Sequence, residues 1–340
     1  MRIVLVTDAW EPQINGVVTT VKHVYKELCD EGHDVLLIHP KGRLGIPIPF
    51  SGGVRISFTS KEEITLFNPD HVHIFTEGSL GLSARRACSS AGLSFTTGYH
   101  TKFPQILYQW FKIPQSLTTK YLKWFHGPSK AILVPTQSMK DELTSCSFAP
   151  PSRIKIWGRG VDAETFRPPL WAHHARHVYG KKLICVSRVT AEKGLDDFCK
   201  LSQFGYDCTL VGGGPELSRL RWSYPKVKFS GPMPHGDIPK AFRTHSLFVF
   251  PSKNDTFGLV MLEANACGLP VVAYPVTGPK DWVQNGKNGF LAKGEDVEDL
   301  FLGVAIAFAE CSPKGALDKA GEYSWKKSAQ EFLGLLHACR

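Results

Sequence analysis

Residues 247–274, LFVFPSKNDTFGLVMLEANACGLPVVAY, hold in one stretch the pattern that decides the fold. A short apolar run, LFVFPS (247–252), gives way to a polar turn. An Ala-containing apolar segment over 257–267 reads as a helix, Gly-Leu-Pro ends it, and a second apolar run, PVVAY (270–274), follows at once. Short apolar runs between turn residues are buried strands, and two strands joined through a helix lie parallel. The same alternation fills the chain. RIVLV (2–6), DVLLI (34–38), HVHIF (71–75), LSFTT (93–97) and AILVP (131–135) predict strands, with helices over 17–31, 79–91 and 138–145. A second series runs from KLICVS (182–187) through CTLVG (208–212), VKFSG (227–231) and the two strands above to GFLA (289–292).

Such alternation builds a parallel sheet with helices on both faces. Two series predict an α/β protein of two Rossmann-like, doubly wound domains. The expected domains are 1–170 and 171–322, with a linker inside 163–181 and a terminal helix from 323 crossing back toward the first domain. Open parallel sheets bind ligands beyond the carboxyl ends of their strands, so two facing sheets predict a central cleft.

The chain has 340 residues, 43% of them hydrophobic, and no low-complexity tract, which excludes a disordered protein. No run of about 18 apolar residues occurs, and the first apolar run is too short for a signal peptide. The expectation is a cytoplasmic protein. Nine scattered cysteines without a Cys-x-x-Cys pair predict neither a disulfide framework nor a zinc site. A net charge of +9 predicts an anionic partner: nucleic acid, an anionic membrane or a phosphorylated small molecule.

Asp255 and Glu263 lie eight positions apart. On a helix that is about 12 Å, beyond the roughly 5–9.5 Å that separates paired carboxyls in sugar-cleaving hydrolases. They are therefore two groups with separate jobs. Asp255 and Thr256 stand where a cap would meet the first helical amides. Glu263 has Leu259, Val260, Met261, Leu262, Ala264 and Ala266 around it, so its carboxylate needs a partner. Vicinal ribose hydroxyls suit it, and an ordinary helical Glu is the plain alternative.

Arg188 directly follows a predicted strand and Lys193 comes five residues later, a pairing suited to a diphosphate; two solvated cations are the alternative. Gly16, after Asn15, opens the first helix and would let a phosphate approach the backbone. His100 follows a strand and could bond a sugar hydroxyl or phosphate, and Glu77 ends another strand. The run Gly212-Gly213-Gly214-Pro215 does not match G-x-G-x-x-G, and no P-loop occurs, which weakens nicotinamide and P-loop chemistry. The loop within 229–242 could hold a base. Segment 101–130 has five lysines, seven aromatics and no acidic residue. Lys102, Trp110, Lys112, Lys120, Lys123 and Trp124 there suit an anionic lipid surface, single-stranded nucleic acid, or a lobe that buries its aromatics.

Taken together, INGVV (14–18), TEGSLGLSARR (76–86), YHTKFP (99–104), VPTQSM (134–139), RGVDAETFRP (159–168), SRVTAEKG (187–194), VGGGPEL (211–217) and the 248–273 stretch resemble the retaining family 4 glycosyltransferases of the GT-B fold. The details are most similar to the branch of glycolipid synthases, sulfoquinovosyl-diacylglycerol synthases among them, and α-mannosyltransferases. The resemblance implies a nucleotide-sugar donor as substrate, with Gly16, Arg188, Lys193, Asp255, Thr256, Phe257, Gly258, Leu259 and Glu263 at the donor. His100, Arg188, Lys193 and Asp255 would serve catalysis. Glu263 would hold the ribose, Arg188 and Lys193 the diphosphate, and His100 the sugar. Asp255 stands where the family has Glu, so its direct reach to the sugar is shortened.

UDP-glucose or UDP-glucuronate is the favoured donor and GDP-mannose the alternative. The favoured acceptor is a lipid such as diacylglycerol, at the inner face of a membrane, and a saccharide acceptor is the alternative. No Asp-x-Asp occurs, so neither metal nor cofactor is expected. A phosphorylase or epimerase on the same fold would need a pyridoxal-phosphate lysine or a donor-only reaction. A nucleic-acid binder would spread arginines along a groove, whereas these cations sit at strand–helix junctions.

Overall fold

The computed structural model describes residues 1–13, 15–47, 55–168 and 180–339. The chain divides into two compact units, Met1–Gly160 with Trp325–Arg340, and Val161–Ser324.

The first unit is built on β1 (Arg2–Val6), β2 (Asp34–Ile38), a small hairpin of β3 (Ile46–Pro47) and β4 (Arg55–Ile56), then β5 (His71–Ile74), β6 (Phe95–Gly98), β7 (Ile132–Val134) and β8 (Ile154–Ile156). Its helices are α1 (Gly16–Asp30), α2 (Lys61–Leu66), α3 (Ser79–Ala91), α4 (Phe103–Phe111), α5 (Gln115–His126) and α6 (Gln137–Ser145). Six strands form one parallel sheet in the order β2-β1-β5-β6-β7-β8. Residues 3–6 are wholly buried, as a strand covered on both faces requires. Ile3 and Leu5 join one core cluster while Val4 and Val6 join another, the two-residue alternation of a pleated strand.

The second unit repeats the plan with β9 (Lys182–Val186), β10 (Asp207–Val211), β11 (Lys228–Gly231), β12 (Leu247–Phe250), β13 (Val271–Ala273) and β14 (Gly289–Leu291). The helices are α7 (Leu195–Lys200), α8 (Leu217–Ser223), α9 (Ile238–Phe242), α10 (Leu259–Ala266), α11 (Pro279–Trp282), α12 (Val297–Glu310) and α13 (Pro313–Ala320). The parallel order is β11-β10-β9-β12-β13-β14. Strand order reverses at β9 and β12, so the loops after these two strands open where a doubly wound sheet takes its ligand.

The last helix, α14 (Trp325–His337), belongs to the first unit. Phe332, Leu333 and Leu336 join the core of Ile3, Phe75 and Trp157, and the Trp157 indole donates to the Ser328 carbonyl at 2.9 Å.

Two doubly wound domains were expected and two are present. The division falls at Gly160/Val161 rather than 170/171 because Val161 and Phe166 are buried in the core of the second unit. Residues 169–179 of the expected linker lie outside the described residues. Three-residue β8 was not anticipated: Ile156 at the sheet edge is exposed, so no apolar run marks it. The expected helix over 257–267 is shorter, Leu259–Ala266. Gly258 at its mouth has φ +82, and the Met261 side chain occupies the space a Cβ there would take.

Buried Asn265 fixes the far end of α10. Its amide donates to the Leu269 and Asn288 carbonyls at 2.8 and 3.1 Å, and the Asn288 amide donates back to Asn265 Oδ1 at 2.8 Å. Asn265→Ala strands these buried groups and should cost about 2–3 kcal/mol of stability, read as a lowered midpoint in thermal or urea denaturation.

Candidate active site

In the second unit, the loops after β9 and β12 are joined by one ion pair. Lys193, closing the short turn Ala191–Lys193, places Nζ 2.9 Å from Asp255 Oδ2. Asp255 Oδ1 accepts from the amides of Thr256 and Phe257 at 2.9 and 3.3 Å. Burial pushes the Asp255 carboxyl up, but the Lys193 ammonium and these two amides outweigh it, and the group titrates below its ordinary value. Asp255 thus anchors Lys193 and ties down the loop that leads into α10. The Thr256 and Phe257 amides, expected at the donor, are already bonded to Asp255.

Arg188 is exposed at the end of β9, with Nη2 3.4 Å from the buried carboxylate of Glu192. Thr190 Oγ1 donates to the same Glu192 oxygen at 2.7 Å. Glu192 was not singled out in the sequence, because a Glu beside a Lys in a polar stretch carries no sign that it is buried. The two cations sit on one loop, one held by Asp255 and the other leaning on Glu192. A phosphate group can be met there by positive charge that is already oriented.

Glu263 is buried on α10, as its apolar neighbours predicted, and its partner is His235 in the short turn Pro-Met-Pro-His after β11. His235 Nε2 lies 2.8 Å from Glu263 Oε1. The sequence marked this loop but not this residue.

In the first unit, the Asn15 side chain caps α1, accepting from the amides of Val17 and Val18, and Gly16 is the first helical residue, exposed to solvent. His100 lies just beyond β6. Arg159 Nη2 donates to His100 Nδ1 at 2.9 Å. Burial and then the neighbouring Arg159 charge hold the His100 imidazole well below its usual range, so it is neutral with the proton on Nε2. Its ring rests on Gly98, where a Cβ would collide with Nε2. Burial also brings the Arg159 guanidinium down to about 9. Glu77 is buried with Oε1 3.2 Å from His126 Nε2, while α3 is capped from Asp8, which accepts from the Leu80 and Gly81 amides at 2.8 and 3.2 Å.

Segment 101–130 forms α4 and α5. Tyr108, Trp110, Phe111, Leu117 and Trp124 are 42–65% exposed, so the lobe leaves most of its aromatics on the surface and buries Phe125 in the core. Leu107, Leu117, Thr118, Lys120, Tyr121 and Trp124 line a groove of about 460 Å³. Lys102 departs from expectation: its ammonium lies 2.6 Å from Glu142 Oε2 and its side chain is 11% exposed, so it belongs to an internal ion pair and not to the outer surface. Lys123 donates to the Cys146 carbonyl at 3.2 Å, and Arg85 stacks on Trp124 at 3.9 Å.

Two doubly wound, Rossmann-like units, the second with paired cations and a buried carboxylate in the loop after its strand β9, define the GT-B class of glycosyltransferase. The solved structures agree on the fold. Sucrose-phosphate synthase of Thermosynechococcus elongatus superposes with a TM-score of 0.80 at 18% identity, over 99% of this chain and 98% of that one. HepE of Anabaena, solved in complex with UDP, gives 0.76 at 17% identity over 99% and 100%. Residues 14–165 match Glycosyltransferase Family 4 and residues 173–318 match Glycosyl transferases group 1. The chain belongs to the family 4, group 1 glycosyltransferases, and is a hexosyltransferase. It is 27% identical over 332 residues to a GDP-mannose-dependent alpha-mannosyltransferase of Corynebacterium glutamicum, covering 90% of this chain and 80% of that protein. It is 27% identical over 318 residues to the sulfoquinovosyl transferase SQD2 of Arabidopsis thaliana, covering 86% and 62%.

Arg188→Ala and Lys193→Ala should each lower kcat/KM by about 10²–10³-fold, the scale of losing one preoriented electrostatic contact. Asp255→Ala should cost less, roughly tenfold, because Lys193 keeps its charge and loses only its anchor. Steady-state kinetics on folded variants read the ranking. The stability contributed by the Asp255 carboxyl is complete above the ordinary carboxylate range and lost as pH falls below it, so the pair should stay intact from pH 5 to 8.

Proposed function

We propose that the protein is a retaining glycosyltransferase that moves a hexose from a UDP-linked donor, UDP-glucose or UDP-glucuronate, to the hydroxyl of a lipid such as diacylglycerol. It would work as a peripheral enzyme at the cytoplasmic face of a membrane. The observation that carries the lipid reading is the α4–α5 groove, an apolar trough whose wall includes Lys120 and whose surroundings expose Trp110, Phe111 and Trp124. Acyl chains fit such walls, and lysines near the rim meet anionic headgroups. Among the described residues no single helix is long and apolar enough to cross a bilayer. The likeness to SQD2 supports the same direction.

In this reading the bond between the anomeric carbon and the diphosphate breaks as the acceptor oxygen arrives on the same face. The acceptor proton passes to the departing phosphate oxygen. Arg188 and Lys193 offset the charge that grows on the diphosphate, and Glu263 bonds ribose. No metal is needed for these steps. Excess EDTA should leave turnover unchanged.

GDP-mannose is the second reading for the donor, supported by mannosyltransferase relatives from Corynebacterium glutamicum and Mycobacterium tuberculosis, each 27% identical.

Lipid mass spectrometry after heterologous expression tests the whole reading: a new hexosyl lipid should form with the native chain and vanish with Glu263→Ala. Neutralising Lys112, Lys120 and Lys123 should weaken binding to anionic vesicles by about 10²-fold, at ~1 kcal/mol per lysine. No binding by the native protein, together with unchanged lipid glycosylation by the triple variant, rules out the membrane part.

A further inference from the structure

We propose that His235 is a positioning residue that fixes Glu263 for recognition of the donor's ribose and thereby sets selectivity for the ribose hydroxyls. This rests on the reading that Glu263 bonds ribose.

A carboxylate only accepts, so the 2.8 Å contact between His235 Nε2 and Glu263 Oε1 requires the proton on Nε2. The contact therefore commits one of Glu263's two oxygens. Glu263 has three side-chain torsions, and α10 around it is almost entirely apolar: Met261, Leu262, Ala264 and Ala266 are buried beside it. Nothing in that lining would choose the carboxylate's orientation. His235 does. The imidazole is itself held from another side, edge-on against Phe166 with ring centroids 5.1 Å apart, and Phe166 is buried against Phe242.

The backbone that carries His235 is stiff. Pro232 and Pro234 precede it, Pro239 follows in α9, and the Asp237 amide closes the turn onto the Pro234 carbonyl at 2.9 Å. The chain thus runs Phe242–Phe166–His235–Glu263 through packed or hydrogen-bonded contacts. With Oε1 committed, Oε2 is the oxygen left to choose a ligand. A vicinal diol is a donor pair that one fixed carboxylate oxygen can distinguish from a single hydroxyl, whereas a swivelling carboxylate would discriminate weakly.

The test is calorimetric binding of UDP and of its 2′-deoxy and 3′-deoxy analogues to the native chain, His235→Ala, His235→Gln and Glu263→Gln, with the guanine nucleotides run in parallel. Thermal denaturation checks that each variant is folded. The native chain should prefer the ribonucleotide by roughly tenfold or more over at least one deoxy analogue, the scale of a hydrogen bond to a charged group. His235→Ala should bring that preference to within about threefold of unity, and His235→Gln, whose amide can still donate, should restore part of it.

If His235→Ala weakens all the nucleotides equally, or leaves the preference intact, the inference is overturned and His235 is merely structural. Should His235→Ala fail to fold, His235→Gln compared with Glu263→Gln decides: a retained preference in the former and a lost one in the latter supports the role. Loss of preference in both overturns it, since a donor at this position would then not suffice. If the native chain shows no preference, or Glu263→Gln keeps it, the ribose reading of Glu263 itself falls, and His235 with it.

Discussion

Each six-stranded sheet is parallel throughout, and this constraint determines where the polar chemistry of each unit can go. A parallel strand covered on both faces has no room for an uncompensated charge. The loops that leave the strands' carboxyl ends do have room. Arg188, Lys193 and Asp255 follow β9 and β12 in just that way, and His100 follows β6. Glu263 is the exception: it lies inside a helix, and it is there only with a hydrogen-bonded partner.

The same rule recurs at each charged group of the site. Lys193 meets Asp255, Arg188 meets Glu192, Glu263 meets His235, and His100 accepts from Arg159. Each pairing reduces the cost of desolvating a polar group and fixes its direction. Orientation established before the substrate arrives is what electrostatic catalysis relies on, since no reorganisation is then needed during reaction. A chain that supplied the same cations on solvated loops would match the composition and the net charge but would not hold them in place.

The fold was largely legible in the sequence because parallel strands announce themselves as continuous apolar runs. All six strands of the second sheet and five of the first were marked that way. What escaped was short or exposed: β8, whose Ile156 faces outward, and the β3–β4 hairpin, two residues on each side. The site was half legible. Arg188, Lys193, Asp255 and Glu263 stand out by type and place, since a charged residue at a strand end or within an apolar helix breaks a local pattern. Their partners do not break any pattern. Glu192, His235 and Arg159 occupy polar stretches where such residues are ordinary, and their significance comes from burial and distance, which spacing along the chain does not encode. Segment 101–130 shows the converse: its composition named the lysines as one group, yet Lys102 is drawn inward by Glu142 forty positions away.

Asp255 carries the sharpest consequence of this difference between composition and contact. The family resemblance places a Glu there, whose longer side chain would project further from the loop. Asp255 instead folds back on its own backbone, accepting from the next two amides while its second oxygen takes Lys193. The shorter side chain and these three contacts belong together, because one methylene more would carry the carboxylate away from the Thr256 amide. The carboxylate's job here is therefore done on the protein, by setting the cation and the mouth of α10. Glu263, on the helix that follows, is turned to His235 instead. Two carboxylates that look like a pair in the sequence act on opposite partners, one on a cation and one on a histidine, so a single strand–loop–helix unit gives its two acids separate work.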